Sequence, residues 1–371
     1  MTVIDVRAIT ASDHLRFLQA QPQASFLQTP AWGEVKDEWR RESIGWFRGG
    51  DLVGVGLVLY RQLPGVKKYL AYLPEGPVID WAATDLASWL TAMVTHLKTQ
   101  GAFSVRMGPP VVTRSWSAGT VKKAIADDVH RRLADVPPDS RNDGGAGVQT
   151  VLRNEGWRPQ LAHAGFSAGQ PQYVFQLSLA GRNEDDVLTG MNQQWRRNIK
   201  RAHKAGVLVT QGGREDLAAF HTLYAETARR DHFTPRPLSY FQKMMERLQA
   251  EEADRIRLYL AHHEGDLVAA ATWVRVGGHT WYSYGASSTA KRDVRGSNAI
   301  QWQMIRDSIA IGATVYDLRG VTDTLDSNDP HIGLIQFKVG TGGEVVEYVG
   351  EWDFPINRLL YKVVGIYMRR R

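Results

Sequence analysis

One stretch of this sequence occurs twice, and the repeat constrains the fold more than any other feature. Residues 45–64 read GWFRGGDLVGVGLVLYRQLP, and residues 258–278 read LYLAHHEGDLVAAATWVRVGG. Both copies place Gly-Asp-Leu-Val between two largely apolar runs. A Gly-Asp pair favours the tight turn of a short hairpin, and the flanking runs have the length of buried strands. Each copy therefore predicts a strand, a turn and a second strand.

The same order of elements follows each copy. Tyrosine-rich strands are predicted over residues 69–78 and 280–287, and segments with helical spacing of apolar residues follow at 84–107 and 297–318. In both segments a Thr or Ser stands at the expected N-cap, Gly-Ala marks the helix end, and the last residues of the segment form a strand. Hairpin, third strand, helix and strand is the order of a mixed sheet with helices on its faces. The chain is predicted to hold two copies of one α/β unit.

The length agrees with two domains. A chain of 371 residues with 43% apolar content exceeds one ordinary core. Between the copies, residues 137–147 (PPDSRNDGGAG) form a Pro, Gly and Asp cluster that predicts an exposed loop. We place the boundary near residue 160. The first domain covers residues 1–160, with residues 345–371 expected to pack back on it, and the second covers residues 161–344.

Composition excludes several kinds of chemistry. The chain has no cysteine, so disulfides, thiolate metal sites and cysteine nucleophiles are ruled out. The N-terminus lacks a secretion signal, and no window reaches the ~18 uncharged apolar residues of a membrane-spanning helix. We therefore expect a soluble, cytoplasmic protein whose contact with the inner membrane face would be peripheral. The net charge of +6 favours polyanionic partners, although solvated lysines explain it equally well.

Five strings along the chain resemble the Fem family. They are SFLQTPAWGEVKDEW (25–39), YLPEGPVIDW (72–81), MNQQWRRNIKRAHKAGV (191–207), ETARRDHFTPRPLSYFQKM (226–244), and YDLRGVTD with GLIQFKVGTGGEVVEYVGEWD (within 316–353), in the order the family shows them. The resemblance extends over nearly the whole chain. It implies two tandem GNAT-like domains and the activity of a tRNA-dependent aminoacyltransferase that builds the interpeptide bridge of peptidoglycan.

The sequence differs from that of some family members in two places. Some members carry a coiled-coil arm in the second domain, which requires sustained heptads, and none occur here. The resemblance is therefore to the arm-less branch. Some relatives also carry an acidic residue just before the proline of RMGPPVV (106–112), where this chain has Gly108. A carboxylate base is not expected at that place.

The reaction implied by the resemblance is the attack of a precursor amine on the ester of an aminoacyl-tRNA. The reaction needs a deprotonated amine, an ester that is bound in a fixed position and a stabilised oxyanion. Because tRNA charging has already activated the ester, we expect no metal and no cofactor besides the aminoacyl-tRNA co-substrate. His262 and His263 lie in a predicted strand, where successive side chains point to opposite faces, so they do not predict a metal site.

Lys338, in QFKVG, is the predicted catalytic residue. A compact ammonium on a flexible stem can reach a developing oxyanion or a tRNA phosphate. An arbitrary lysine at the end of a strand would instead be expected in solvent. The match to the family's Phe-Lys motif is what favours a catalytic role for Lys338.

The resemblance also implies residues that bind the precursor. Lys36, from the first domain, and Arg236, from the second, should meet at its diphosphate across a cleft, giving charge-assisted hydrogen bonds. Tyr240 follows Arg236 at the family's spacing and could bind the same ligand. Tyr284 is a further candidate, but the sequence leaves open whether it or Tyr282 faces the cleft. Without the resemblance, a surface lysine and a turn arginine would be the ordinary interpretation.

The segment WRRNIKRAHK is the predicted tRNA-binding element. It carries Arg196, Arg197, Lys200, Arg201 and Lys204 without an acidic residue between them. If the segment is helical, these cations share adjoining stripes at four-residue spacing. A tRNA phosphate backbone would relieve their mutual repulsion. A solvated basic helix face is the alternative.

Other functions stay open at this point. A coenzyme A dependent N-acetyltransferase would need a Gly-rich pyrophosphate loop near residues 291–299 (KRDVRGSNA), which hold a single glycine. Aminoacyl transfer to a natural-product amine, or a non-catalytic binding module, would also fit. The sequence does not determine whether Gly, Ala or Ser is transferred, which diamino acid accepts it, or whether the precursor is soluble or lipid-linked. We expect a monomer.

Overall fold

The computed structural model describes residues 3–127, 129–160, 169–329 and 331–369. In this part of the chain the α-helices are α1 (Ala11–Gln19), α2 (Pro30–Val35), α3 (Leu86–Thr99), α4 (Ala118–Asp127), α5 (Asp143–Asn154), α6 (Glu184–Gly190), α7 (Gln193–Lys204), α8 (Leu217–Asp231), α9 (Leu238–Glu251), α10 (Gly296–Ala310), α11 (Ile332–Val339) and α12 (Arg358–Arg369). The strands are β1 (Ile4–Ala8), β2 (Arg40–Arg48), β3 (Asp51–Gln62), β4 (Tyr69–Leu73), β5 (Ala102–Met107), β6 (Val112–Ser117), β7 (Ser140–Arg141), β8 (Arg158–Pro159), β9 (Tyr173–Ser178), β10 (Leu208–Gly212), β11 (Ile256–His263), β12 (Asp266–Val276), β13 (His279–Ser287), β14 (Val315–Val321), β15 (Glu344–Tyr348) and β16 (Trp352–Pro355).

These elements form two compact units. Unit 1 consists of Met1–Ser115, Ser140–Gln172 and Val346–Arg371. Unit 2 consists of Trp116–Asp139 and Tyr173–Val345. The chain therefore enters and leaves unit 2 twice, and its C-terminal segment belongs to unit 1.

The division differs from the predicted boundary near residue 160. Residues 116–139, placed in the first domain by the sequence, belong to unit 2. Trp116, Val121 and Leu133 are buried in the hydrophobic core of that unit, and the indole N–H of Trp116 donates to the carbonyl of Val136 at 2.9 Å. A Pro and Gly cluster marks where a chain turns, but it does not reveal which core the neighbouring helix joins.

The sheet of unit 1 has the strand order β1-β2-β3-β4-β5-β16-β8. Strands β2 and β3 form the predicted hairpin, and β4 runs parallel to β5 after the crossover through α3. The middle of β3 is apolar and buried throughout, as expected of a strand covered on both faces. Helix α3 packs on the sheet and is hydrogen-bonded to it. Trp46 of β2 is fully buried and donates its indole N–H to the carbonyl of Trp89, in α3, at 3.0 Å.

Unit 2 repeats this arrangement. Strands β10, β11, β12, β13, β14 and β9 are neighbours in that order. Strands β11 and β12 form the second predicted hairpin, β13 is antiparallel to β12, and β14 is parallel to β13 after the crossover through α10. The parallel pairing covers His279 to Trp281 and Val315 to Asp317. Past these residues the two strands continue without pairing to each other, which leaves backbone groups of β14 available for other contacts.

The internal duplication and the mixed α/β class are thus confirmed. Both crossover helices end as predicted, at Gly101 and Gly312, whose φ angles of 86° and 74° lie in the left-handed region that favours glycine. The predicted Thr and Ser N-caps are wrong. The N-cap residues are Asp85 for α3 and Arg295 for α10, and neither caps its helix through a side-chain hydrogen bond.

The loop predicted over residues 137–147 is partly helical. Helix α5 begins at Asp143, and the side chain of Asn142 caps it by accepting from the N–H of Gly145 at 3.3 Å. A Cβ atom at Gly145 would lie 2.2 Å from the carbonyl oxygen of Val112. These glycines therefore allow a helix to approach a strand closely instead of forming a loop.

Neither an arm nor a membrane span is found in the described residues. The longest helices there, α8 and α10, have 15 residues each, so the predicted absence of a coiled-coil arm holds for that part of the chain. No helix in it combines the length and the apolar character needed to cross a bilayer.

Candidate functional site

Lys36 lies in unit 1, where α2 ends. The hydroxyl of Thr29 caps the start of this helix by accepting from the N–H of Trp32, and Pro30 occupies the first helical position. Lys36 is half-buried, and its Nζ lies 5.3 Å from the centroid of the Trp32 ring. Because Arg236 belongs to unit 2, the meeting of Lys36 and Arg236 at a diphosphate stays a prediction.

A carboxylate that the sequence did not indicate lies beside Gly108. A Cβ atom at this glycine would be 2.9 Å from Cγ of Glu351. Glu351 is buried, and its Oε1 accepts from the Tyr72 hydroxyl at 2.7 Å and from the N–H of Gln170 at 3.2 Å. Desolvation raises the pKa of Glu351. A part of the chain that is distant in sequence thus places a carboxyl group beside Gly108, where the sequence indicated none.

Three of the predicted substrate-binding residues meet in unit 2. Tyr240 of α9 and Tyr284 of β13 have hydroxyl oxygens 3.0 Å apart. Arg236 is exposed in the loop before α9, with its guanidinium carbon 5.4 Å from the centroid of the Tyr240 ring. Tyr224 of α8 stands edge-on to Tyr284, at a centroid distance of 6.1 Å. An exposed cation beside a wall of aromatic rings suits a phosphate attached to a flat or apolar group.

Tyr224 and Tyr240 remain hydrogen-bond donors at neutral pH. Burial raises the pKa of Tyr224 to about 12, with the nearby phenol of Tyr284 adding to the shift. Burial also raises the pKa of Tyr240 well above its usual value, followed by the effect of Tyr284. A protonated phenol can donate to a phosphate or carbonyl oxygen.

The structure separates Tyr284 from Tyr282. A register shift in the pairing of β12 with β13 leaves Ser283 as an extra residue between the two tyrosines. Tyr284 contacts Tyr240, whereas Tyr282 packs against the hydrophobic core of unit 2, and burial raises its pKa to about 12. A Cβ atom at Gly285 would lie 1.7 Å from the Tyr282 hydroxyl, so glycine is required there. Tyr284 is the tyrosine that joins the cluster.

The predicted role of Arg236 in binding the precursor implies that Arg236→Ala raises the KM of the nucleotide-linked precursor by about 10- to 100-fold, the value of a hydrogen bond to a charged group, with little change in kcat. Steady-state kinetics with the precursor as the varied substrate measure this. Arg229→Ala is the matched control, since Arg229 is an exposed arginine of the neighbouring helix α8. Equal effects of the two variants would contradict a specific role for Arg236.

Lys338 lies in helix α11, not at the end of a strand, and only 3% of its surface is exposed. Its Nζ donates to the carbonyl oxygen of Gly320 at 2.6 Å and to that of Arg319 at 3.3 Å. Both carbonyls belong to β14, past the point where its pairing with β13 ends. An ammonium has three donors, so one remains once these two carbonyls are satisfied.

The ionisation of Lys338 is shifted into the physiological range. Burial lowers its pKa from 10.5 to about 7, opposed by the negative charge of Asp317 and assisted by the positive charge of Arg319. A lysine with such a pKa can act as a cation or as an amine near neutral pH. A non-catalytic module would be favoured by a Lys338 that is buried in an ion pair away from any cleft. The ammonium is buried, and the groups that accept from it are two carbonyls.

The predicted tRNA-binding segment is helical. Helix α7 buries Trp195 and Ala202 on one side. Four of the five predicted cations are exposed on the rest of its surface: Arg197, Lys200, Arg201 and Lys204. Together they form a continuous basic face, which we call the α7 basic face.

Arg196 and Arg201 have partners within the chain. Arg196 is half-buried and donates to the carbonyls of Thr189 and Met191, each at 2.8 Å, so it stabilises the junction between α6 and α7. The guanidinium of Arg201 lies 3.4 Å from the carboxylate of Asp293, and both side chains are exposed. Such an exposed pair contributes little stability and would not prevent phosphate binding.

An open pocket of about 350 Å³ lies between α4, α11 and the start of α7. Its lining residues are Lys122, Ile125, Ala126, Asn192, Gln336 and Val339. Gln336 and Val339 flank Lys338 on α11, but Lys338 itself contacts β14. The pocket and the ammonium therefore lie on different faces of this helix.

The segment in which coenzyme A would require a Gly-rich loop forms a 3-10 turn, Arg292–Val294, followed by α10. A Cβ atom at Gly296 would lie 2.8 Å from Cγ2 of Val268, so this glycine serves helix–strand packing. In the described residues no group of three or more His, Asp or Glu side chains is placed to hold a metal ion.

Two α/β units built from a hairpin, a third strand, a crossover helix and a parallel strand define a tandem GNAT-like acyltransferase fold. The solved structure titled "Crystal structure of FemX" matches it with a TM-score of 0.81 and 22% sequence identity, covering 97% of this chain and 99% of that one. A tandem GNAT protein from the clavulanic acid biosynthesis pathway matches with a TM-score of 0.51 and 12% identity, over 95% and 99% of the two chains.

The chain belongs to the FemAB family, whose sequence profile matches residues 9–264 and 246–368. The lipid II:glycine glycyltransferase of Staphylococcus aureus (strain MRSA252) is 24% identical over 428 aligned residues, covering 96% of this chain and 94% of the relative. The protein of the same name from Staphylococcus epidermidis (strain ATCC 35984) is also 24% identical, with the same coverage of both chains. The chain is thus an enzyme of the transferase class.

Proposed function

We propose that the enzyme transfers Gly, Ala or Ser from a charged tRNA to the side-chain amine of a peptidoglycan precursor pentapeptide. The observation that supports this most is the likeness along the whole chain to enzymes named lipid II:glycine glycyltransferase. The position of Lys338 adds a chemical argument, because a buried ammonium with one remaining donor is suited to stabilise an oxyanion.

The proposed reaction is an acyl transfer in two bond changes. The deprotonated amine of the precursor attacks the ester carbonyl carbon of the aminoacyl-tRNA and forms a C–N bond. The carbonyl oxygen gains negative charge, which the Lys338 ammonium stabilises. The C–O bond to the terminal ribose of the tRNA then breaks, and the proton lost by the attacking amine balances the departing alkoxide. The ester supplies the driving force, so we propose no metal or other cofactor.

We propose two binding surfaces for the substrates. The cluster of Arg236, Tyr240 and Tyr284 would bind the nucleotide part of the precursor, with Lys36 contributing a second cation to the diphosphate. The α7 basic face would bind the tRNA phosphate backbone. Such contacts position a nucleic acid without reading its sequence.

We further propose a monomer that works in the cytoplasm, where charged tRNA and nucleotide precursors are made. Contact with the membrane would be peripheral. Helix α12 offers a surface for it, because Leu359 and Val363 are 75% and 55% exposed beside the cations Arg358 and Lys362. This surface would matter if the precursor is lipid-linked.

The experiment that tests the function supplies the purified enzyme with radiolabelled Gly, Ala or Ser charged on tRNA. The acceptor is a nucleotide-linked or a lipid-linked muramyl pentapeptide carrying lysine, ornithine or diaminopimelate. We expect label to appear in the pentapeptide of one combination, identifying both substrates. Reactions with labelled acetyl coenzyme A run in parallel. Acetylation without transfer from any charged tRNA would contradict the proposal.

A further inference from the structure

Asp317 is a buried carboxylate next to the carbonyls that hold Lys338. It lies on β14 with 1% of its surface exposed, at the last residue that pairs with β13. A buried carboxylate requires hydrogen bonds or a positive charge to offset its desolvation. Its partners therefore indicate what the carboxylate does.

One carboxylate oxygen of Asp317 fixes the backbone that follows it. Its Oδ1 accepts from the N–H of Arg319 at 2.5 Å. Arg319 has a φ angle of 64°, a left-handed conformation that is strained for an arginine. The pairing of β14 with β9 also shifts between Asp317 and Gly320. The carboxylate thus stabilises a bulge that strand pairing alone would not maintain.

The bulge presents two successive carbonyls to one ammonium. The oxygens of Arg319 and Gly320 both accept from Nζ of Lys338. In a regular strand, successive carbonyls point in opposite directions and could not bind the same cation. The left-handed residue is what brings them together.

The second carboxylate oxygen of Asp317 is held from two neighbouring strands. The Nε2 atom of Gln176, on β9, donates to Oδ2 at 3.0 Å, and Nε2 of His279, on β13, lies 3.4 Å from it. The His279 ring stacks on Trp281 with a centroid distance of 4.1 Å. These contacts fix the orientation of the carboxylate.

We propose that Asp317 is the positioning residue for Lys338, holding the bulge that binds the ammonium and supplying the negative charge that favours its protonated form. The inference rests on the proposed role of Lys338 as an oxyanion-stabilising cation. Asp317 would not touch the substrate, so it acts through Lys338.

The charges around Lys338 agree with this role. From β14, Asp317 raises the pKa of Lys338 and Arg319 lowers it. Helix α4, which packs against α11, carries Lys122, Lys123 and Asp127, all exposed to solvent. Solvent screens these groups more than it screens the buried carboxylate. Asp317 is therefore the negative charge that acts most on the ammonium.

The test measures the titration of Lys338 directly in the full-length protein. Protein labelled with ¹³C at lysine Cε is titrated by NMR, and the Lys338 signal is assigned by its loss in Lys338→Arg. Asp317→Asn keeps an acceptor for the Arg319 N–H but removes the charge, whereas Asp317→Ala removes both. Asp307→Asn is the matched control, because Asp307 is a carboxylate of unit 2 that accepts from Tyr259 and Gln303. Thermal unfolding of each variant monitors the fold.

In Asp317→Asn we expect the titration midpoint of Lys338 to move to lower pH and kcat to fall by about 10- to 100-fold, with KM little changed. Asp307→Asn should leave both quantities near the wild-type values. An unchanged Lys338 midpoint in the folded Asp317→Asn protein would overturn the inference. The NMR titration needs no substrate, so it gives its answer even if the aminoacyl-tRNA assay fails.

Discussion

Lys338→Ala is expected to lower kcat for acyl transfer by about 10²- to 10³-fold, the cost of removing one oxyanion donor. The KM values of both substrates should change little, because the ammonium interacts with charge that develops only in the transition state. The buried position strengthens the effect, since a cation bound by two carbonyls needs no reorganisation when the oxyanion forms. Single-turnover transfer from charged tRNA measures the chemical step without product release.

Two further variants separate charge from packing. Lys338→Met keeps most of the buried side-chain volume and removes the ammonium, so it should lose as much activity as the alanine variant. Lys123→Ala removes an exposed lysine of α4 and should retain full activity. If Lys338→Met kept the wild-type rate, the ammonium would have no role in the transition state.

The pH profile distinguishes the two roles open to Lys338. Burial lowers its pKa to about 7, so raising the pH above this value converts the ammonium to the amine. If the cation is the active form, kcat falls as pH rises through about 7. If the amine acts as a general base, kcat rises over the same interval. If the change of kcat near pH 7 is absent in Lys338→Met, the group that titrates in the wild-type profile is Lys338.

The sequence predicted the repeated architecture because its signals are local. Gly-Asp turns, apolar runs of strand length and glycine helix stops depend on residues that are neighbours in the chain. The helix that carries the α7 basic face can be predicted from the sequence for the same reason. The membership of residues 116–139 in unit 2 cannot be predicted in this way, since it depends on which core Trp116 joins.

The arrangement around Lys338 depends on contacts that no local pattern encodes. Arg319 adopts a left-handed conformation although it is not a glycine, and its backbone N–H donates to the carboxylate of Asp317. The carboxylate of Glu351 reaches Gly108 from the residue before β16, far away in the sequence. Arg196 looked like its basic neighbours, but its guanidinium binds two carbonyls at the end of α6. In each case the residue type was visible, and its partner was determined by the tertiary fold.

Reversal of three charges on the α7 basic face is expected to weaken tRNA binding by about 10²- to 10³-fold at low salt. The variant combines Arg197→Glu, Lys200→Glu and Lys204→Glu, all exposed positions away from the buried Trp195. Arg196 is left unchanged because it stabilises the α6–α7 junction. Fluorescence anisotropy with labelled tRNA at several salt concentrations gives the dissociation constant and its salt dependence.

The salt dependence identifies the cause of the weakening. Each lost phosphate contact should lower the slope of log affinity against log salt by about 0.7 to 0.9, so three contacts predict a decrease of about 2 to 3. The matched control is Lys67→Glu, Lys68→Glu and Lys98→Glu, three exposed lysines of unit 1 with the same change in net charge. A change confined to the α7 variant would locate the phosphate contacts on that face. Equal changes in both variants would mean that tRNA responds to the net charge of the protein, and the basic helix would be a solvated surface.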